Sequence, residues 1–115
     1  AADAMMLAFD FLFDTIISFE TIEHLTAPDL FVHKMFDLLK PGGRFILSTP
    51  NQEVMPFSVA AFPYHVRHFT KHELGNVLSA AGFAVDSWYS QHDQNSLAVE
   101  FDANGRFLIV IAQKP

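Results

Sequence analysis

The chain has 115 residues, thirteen acids against seven scattered bases, a formal net charge of −6 and no cysteine. That length allows one domain at most, the acidic balance argues against a nucleic-acid backbone as the main partner, and the lack of cysteine excludes disulfides, thiolate metal sites and a Cys nucleophile. Half of the residues are hydrophobic and thirteen are Phe, so the chain can build an aromatic-rich core and is not disordered.

In chain order, the opening on Ala1 rather than Met fits a fragment or processed product. The apolar stretch from Ala4 to Phe13 is broken by Asp10 and lacks a basic lead, so it is not a signal peptide. No apolar run reaches the roughly 20 residues that a membrane span needs, and the expected location is the cytoplasm. Phe13–Phe19 is short, apolar and β-branched, which predicts a buried strand. A helix follows, with Thr26 as N-cap, Pro28 in the first turn and Asp29 near the positive end of the dipole. Leu30, Phe31, Met35, Leu38 and Leu39 form its apolar stripe, and His33, Lys34 and Asp37 its outer face. Lys40-Pro41-Gly42-Gly43 ends it in a tight reversal. Arg44–Thr49 is a second strand stopped by Pro50. Strand, helix and strand make a βαβ unit, so these strands should run parallel.

Residues 51–69 form a long apolar loop, of the kind that often serves as a lid or binding loop. Thr70-Lys71-His72-Glu73 is a capping box, and Phe69 with Leu74 can form a hydrophobic staple. The second helix buries Leu74, Val77, Leu78 and Ala81 and ends at Gly82 in the left-handed conformation. Phe83–Tyr89 is a third strand, with Trp88 and Tyr89 on opposite faces. Leu97–Phe101 is a further strand or a continuation of the third. Asp102-Ala103-Asn104-Gly105 is a turn in which Asn-Gly favours positive φ. Phe107–Ala112, the most hydrophobic strand, should be central and covered on both faces. The sum is an open α/β sheet with helices packed on it.

Ligands of open parallel sheets bind beyond the carboxyl ends of the strands. Here those ends are Phe19-Glu20-Thr21-Ile22-Glu23-His24 and Ser48-Thr49-Pro50-Asn51, on one edge. These segments, with Leu38-Leu39-Lys40-Pro41-Gly42-Gly43-Arg44, His65-Val66-Arg67-His68-Phe69-Thr70 and Ala81-Gly82-Phe83 in the same order and spacing, resemble the later half of a class I S-adenosylmethionine-dependent methyltransferase. Asp3-Ala4-Met5-Met6-Leu7-Ala8-Phe9 is similar to the family's segment after its third strand. The resemblance covers nearly the whole chain. It implies a partial Rossmann-like sheet built from equivalents of strands four to seven, with the seventh antiparallel between the fifth and sixth. The family's glycine-rich turn is absent, because Gly42, Gly43, Gly75, Gly82 and Gly105 form no such loop. The resemblance therefore implies residues 1–115 as the C-terminal portion of a methyltransferase domain, inactive alone, in a protein that methylates a small-molecule oxygen, nitrogen or carbon.

By the same resemblance, the S-adenosylmethionine contacts are Asp3 and Ala4 toward adenine, and Phe19 and Glu20 toward the methionine and sulfonium end. Phe19 has the alternative of plain core packing. Glu20, Glu23 and His24 could converge on one cation, and oxygen-rich ligands with one imidazole suit Mg²⁺ or Mn²⁺. The pattern resembles the metal site of small-RNA 2′-O-methyltransferases and quinone-biosynthesis O-methyltransferases, with His68, or else His65, completing the sphere. The plainer reading has Glu23 orienting loop backbone and His24 lining the cleft or acting as a base. His65 and His68 are further candidate bases, because an oxygen nucleophile must lose its proton and imidazole titrates near neutrality. Their alternative is a polar loop in which Arg67 bridges to Glu73. His33, His72 and His92 are surface residues. A different class of function stays open: a non-catalytic α/β module that self-associates or pairs with a partner through the sheet edge left free by the missing strands.

Overall fold

The architecture was obtained as a computed structural model that describes residues 11–92 and 99–115. Asp3, Ala4 and the start of the Leu97–Phe101 segment lie outside the described residues. The elements are β1 (Phe13–Phe19), a 3₁₀ turn (Ile22–His24), α1 (Pro28–Leu38), β2 (Leu39–Pro50), α2 (Lys71–Ala80), β3 (Ala84–Gln91) and β4 (Phe107–Gln113).

Helix α1 begins where proline dictates. Pro28 occupies the first helical position, its missing N–H being one that no intrahelical carbonyl would reach. Ala27, not Thr26, is the N-cap, and no side chain caps the helix; Thr26 stands one residue too early. With that start, the buried face is Phe31, Val32, Met35 and Leu38, while Leu30 is turned outward and exposed. Leu39 leaves the helix in an extended conformation and opens β2 by pairing with Phe13. The Lys40–Gly43 segment is an irregularity within the β1–β2 ladder. Gly43 is needed there because a Cβ would stand 2.8 Å from the Lys40 carbonyl oxygen. Pro50 does not stop the strand before it; as the last residue of β2 it pairs with Phe107, a terminal place where a missing donor is tolerated.

Helix α2 forms as its sequence predicts. The Thr70 hydroxyl accepts from the Glu73 amide at 3.0 Å and the Glu73 carboxylate accepts from the Thr70 amide at 3.0 Å. Gly82 follows the helix at φ +107.

The sheet order is β1-β2-β4-β3. β1 and β2 are parallel, and β4 runs antiparallel between β2 and β3. Cross-strand register sorts the side chains by face. The row Ser18–Leu47–Val110 and the row Ile16–Phe45–Ala112 face the helices, and Phe45, Leu47, Val110 and Ala112 join Phe31, Leu74 and Leu78 in one core. The rows Ile17–Ile46–Ile111 and Phe19–Ser48–Ile109 face the other way. Ile17 is 60% exposed and Phe19 57%. Two expectations are corrected by this. Among the described residues, β1 is an edge strand with one open face rather than a buried strand, and β4 is central but covered on one face. The cause is that both helices pack on the same side of the sheet.

The turn before β4 also departs from expectation. Neither Asn104 nor Gly105 has positive φ. The Asp102 carboxylate shapes it by accepting from the Asn104 amide at 2.9 Å, and Gly105 is there for space, since a Cβ would lie 2.7 Å from the Gln91 carbonyl oxygen. Of the Leu97–Phe101 segment, Glu100 makes a single bridge with Ser90.

Phe45 is fully buried between the Phe31 and Phe83 rings. Phe45→Ala is expected to cost about 3–5 kcal/mol of unfolding free energy, read by chemical denaturation; a loss below about 1 kcal/mol would contradict this single shared core.

Candidate active site

Parallel pairing brings the two strand tips together. Phe19 pairs with Ser48 and the Glu20 amide donates to the Ser48 carbonyl at 3.0 Å. Glu20 itself has φ 54, a left-handed conformation that side chains other than glycine rarely adopt and that costs of order 1–3 kcal/mol. The chain turns there, and the 3₁₀ turn delivers Glu23 inward and His24 to the rim.

Glu23 is fully buried. The Thr49 hydroxyl donates to its Oε1 at 3.1 Å, while its Oε2 has no hydrogen-bond partner among the described residues. The Glu23 backbone carbonyl accepts from the Val66 amide at 2.6 Å and from the Arg67 amide at 3.4 Å. This residue therefore ties β2, through its side chain, and the 51–69 loop, through its backbone carbonyl, to the tip of β1. Glu20 is exposed along its length with its carboxyl turned toward Ser48, whose hydroxyl donates at 3.3 Å. Loss of hydration and the neighbouring Glu23 push that carboxyl up to about 8, against the milder lowering by Ser48.

The loop closes on itself. Asn51 and Phe69 form a parallel bridge, and the Gln52 amide donates to the Phe69 carbonyl at 2.9 Å. Asn51 is buried and its side-chain amide donates to the Gly105 carbonyl at 3.0 Å, which pins the loop base to the turn before β4. Within the loop, His24 Nδ1 lies 2.7 Å from the Tyr64 carbonyl oxygen. His65 Nδ1 lies 2.6 Å from His68 Nε2, and His68 Nδ1 lies 2.6 Å from the Met55 carbonyl oxygen. Phe62 stacks on His65 and meets His68 edge-on. Burial outweighs the Glu23 charge and lowers the pKa of His65, which leaves its ring neutral at pH 7. Arg67 pairs with Glu73 at 2.8 Å on the exposed side, as the plain reading of that loop had it.

The candidate residues thus sort themselves. Glu23, His24 and His65 each place one ligand atom within 4.8 Å of the others. His68 is not among them; it is buried behind His65. Glu20 is not among them either, its carboxyl being engaged by Ser48. The donor set is one carboxylate and two imidazoles, richer in nitrogen than the sequence suggested. Phe19 does not pack in the core; it is exposed at the tip of β1. The sequence reading missed the parts played by Thr49 and by the Met55 and Tyr64 carbonyls. Thr49 at a strand end facing a buried acid carried a signal; backbone carbonyls carry none. His33, His72 and His92 are exposed, and His92 pairs with Asp102 at 2.9 Å in a separate surface group.

A groove along the outer side of β1 is lined by Ile16, Ile17, Phe19, Thr21, Phe31 and Met35. Ser18 Oγ, which also borders it, is buried without a hydrogen-bond partner among the described residues.

With that geometry in place, the chain is assigned to the methyltransferase-domain family, whose model matches residues 4–87. A protein of Mycolicibacterium smegmatis named as a probable S-adenosylmethionine-dependent methyltransferase is 36% identical over 104 residues, covering 87% of this chain and 39% of that protein. A ubiquinone biosynthesis O-methyltransferase of Chelativorans is 38% identical over 48 residues, 42% of this chain and 19% of that protein. The chain therefore spans well under half the length of these relatives. The fold is shared with the N-methyltransferase NodS of Bradyrhizobium japonicum, solved with S-adenosyl-L-homocysteine, at TM-score 0.73 and 17% identity over 99% of this chain and 52% of that one. No helix among the described residues is long and apolar enough to cross a membrane.

Because Glu20 holds a proton in the native state that the unfolded chain releases near 4.5, stability should fall as pH rises from about 4.5 to about 8 and level off above. Denaturation midpoints across that range should lose this downward slope in Glu20→Gln; equal slopes in both proteins would contradict the assignment.

Proposed function

We propose that the protein containing this chain transfers a methyl group from S-adenosylmethionine to an oxygen of a small-molecule acceptor, in the cytoplasm. The observation that carries the reading is that one sheet edge holds both halves of such a site: the exposed Phe19–Glu20 tip and, across it, the imidazoles of His24 and His65. When bound, the cofactor supplies an electrophilic methyl group on a sulfonium sulfur. The β1 groove is mainly apolar and offers the Ser18 hydroxyl, which suits the carbon skeleton beside the sulfonium sulfur and leaves the charged amino-acid end without a partner among the described residues that line it.

The work of this chain is alignment and proton removal. Phe19 and Glu20 border the donor side. His65, neutral and carrying a free ring nitrogen, takes the proton from the acceptor hydroxyl as its oxygen becomes nucleophilic. Phe57 and Phe62, packed against His68 and His65, give the loop an aromatic wall for the acceptor. A nitrogen acceptor that arrives neutral needs no base, so this cluster favours oxygen; the name of the Chelativorans relative points the same way. His65→Ala should lower kcat of the full-length enzyme about 10²–10⁴-fold and leave S-adenosylhomocysteine affinity, measured by calorimetry, unchanged. Full activity of that variant, or no binding of S-adenosylhomocysteine by the full-length protein, would overturn the reading.

The Glu23 Oε2 atom, which has no hydrogen bond among the described residues, favours an alternative use of the same cluster, a divalent cation held by Glu23, His24 and His65, in which His65 would be a ligand and not the base. Such an ion would lower the pKa of an acceptor hydroxyl; two imidazoles and one carboxylate suit Zn²⁺ or Mn²⁺ better than Mg²⁺, and Mn²⁺ is the probe that can be read directly. Electron paramagnetic resonance titration should then show one Mn²⁺ site per full-length protein that Glu23→Gln removes; no bound Mn²⁺ in the unaltered protein would eliminate it.

A non-catalytic, self-associating module is the rival function. The open face of β1, with Ile17 and Phe19 exposed, favours pairing through that edge. A concentration-independent monomer of this chain in light scattering would count against it.

A further inference from the structure

We infer that His68 is neither a base nor a ligand but a positioning residue, which fixes the tautomer of His65 so that Nε2 is the ring nitrogen left with a lone pair. The inference rests on the reading of His65 as the proton acceptor, but it is carried by hydrogen-bond chemistry alone.

The Met55 carbonyl can only accept a hydrogen bond. His68 Nδ1 lies 2.6 Å from it, so Nδ1 of His68 carries the hydrogen and donates. In a neutral imidazole one nitrogen donates and the other accepts, so Nε2 of His68 is an acceptor. His65 Nδ1 lies 2.6 Å from that atom and must therefore be the donor. His65 is thereby held as its Nδ1–H form, the minor form of free histidine, and its Nε2 is left bare. At the rim, His24 Nδ1 faces the Tyr64 carbonyl at 2.7 Å and its Nε2 lies 3.8 Å from Glu23 Oε2.

The packing holds this arrangement. His68 is buried, Phe62 lies stacked against His65 with its ring at 15°, and Phe57 meets His68 at 5.6 Å. Met55 is itself tethered, its amide donating to the Asn51 carbonyl at 2.7 Å. A buried imidazole that spends both nitrogens on neighbours cannot exchange protons with a ligand; its effect passes through His65.

The test is long-range ¹H–¹⁵N spectroscopy of the full-length protein labelled in histidine, at about pH 8, above the range in which free imidazole titrates. His65 should show a protonated Nδ1 and an unprotonated Nε2. His68→Leu removes the acceptor and should return His65 to the Nε2–H form, lowering kcat about tenfold or more with KM little changed. His68→Gln keeps an acceptor oxygen toward His65 and should retain the Nδ1–H form. A protonated Nε2 on His65 in the unaltered protein, or an unchanged tautomer in His68→Leu, would overturn the inference. If His68→Leu does not fold, the spectrum of the unaltered protein still decides. If the tautomers follow expectation while His65→Ala keeps full activity, the positioning role stands and the base assignment fails.

Discussion

A fully buried carboxylate governs this site. Removing a charge from water costs several kcal/mol unless partners replace the lost hydration. Glu23 has a hydroxyl on one oxygen, and on the other no hydrogen bond among the described residues, only the His24 Nε2 atom 3.8 Å away. Its backbone carbonyl meanwhile anchors the far end of a long loop. Structure and chemistry therefore share one residue. The element that locks β1, β2 and the loop together is the same element that leaves an unsatisfied electron-rich atom facing two imidazoles.

The neighbouring features follow from the same crowding. Glu20 must sit close to Glu23 because the chain reverses at the tip of β1, and its strained φ records how sharply it does so. Two carboxyls so near cannot both carry charge cheaply, and the elevated Glu20 value is the result. Aromatic rings then limit how the imidazoles can turn. The outcome is a rim whose donors and acceptors are fixed by the protein before any ligand arrives, which is the condition under which proton transfer and alignment are efficient.

Local signals in the sequence were sufficient where a residue's role is settled by its near neighbours. The Thr70–Glu73 capping box, Gly82 after α2, and the strongly apolar Phe107–Ala112 strand at the sheet's interior all appear as read. The meeting of the two strand tips was also legible, because a βαβ crossover fixes parallel direction. What escaped depends on partners distant in sequence. The hydrophobicity of β1 indicated burial, yet whether a strand is an edge depends on what lies beside it. Thr26 looked like a cap until Pro28 set the helix start one residue later. His65 and His68 were indistinguishable by spacing, and only the position of the Met55 carbonyl places one at the rim and the other behind it. Nor did composition reveal Asn51 as the clamp between the loop and the β3–β4 turn.

The central claim is that the carboxyl-side tips of β1 and β2 form one wall of a pocket for a sulfonium donor. A crystal structure of the full-length protein with S-adenosylhomocysteine tests it most directly. The account predicts the cofactor's sulfur beside Phe19 and Glu20, opening toward His24 and His65. Cofactor density elsewhere, such as in the groove between α2 and β3 floored by Trp88, would contradict it.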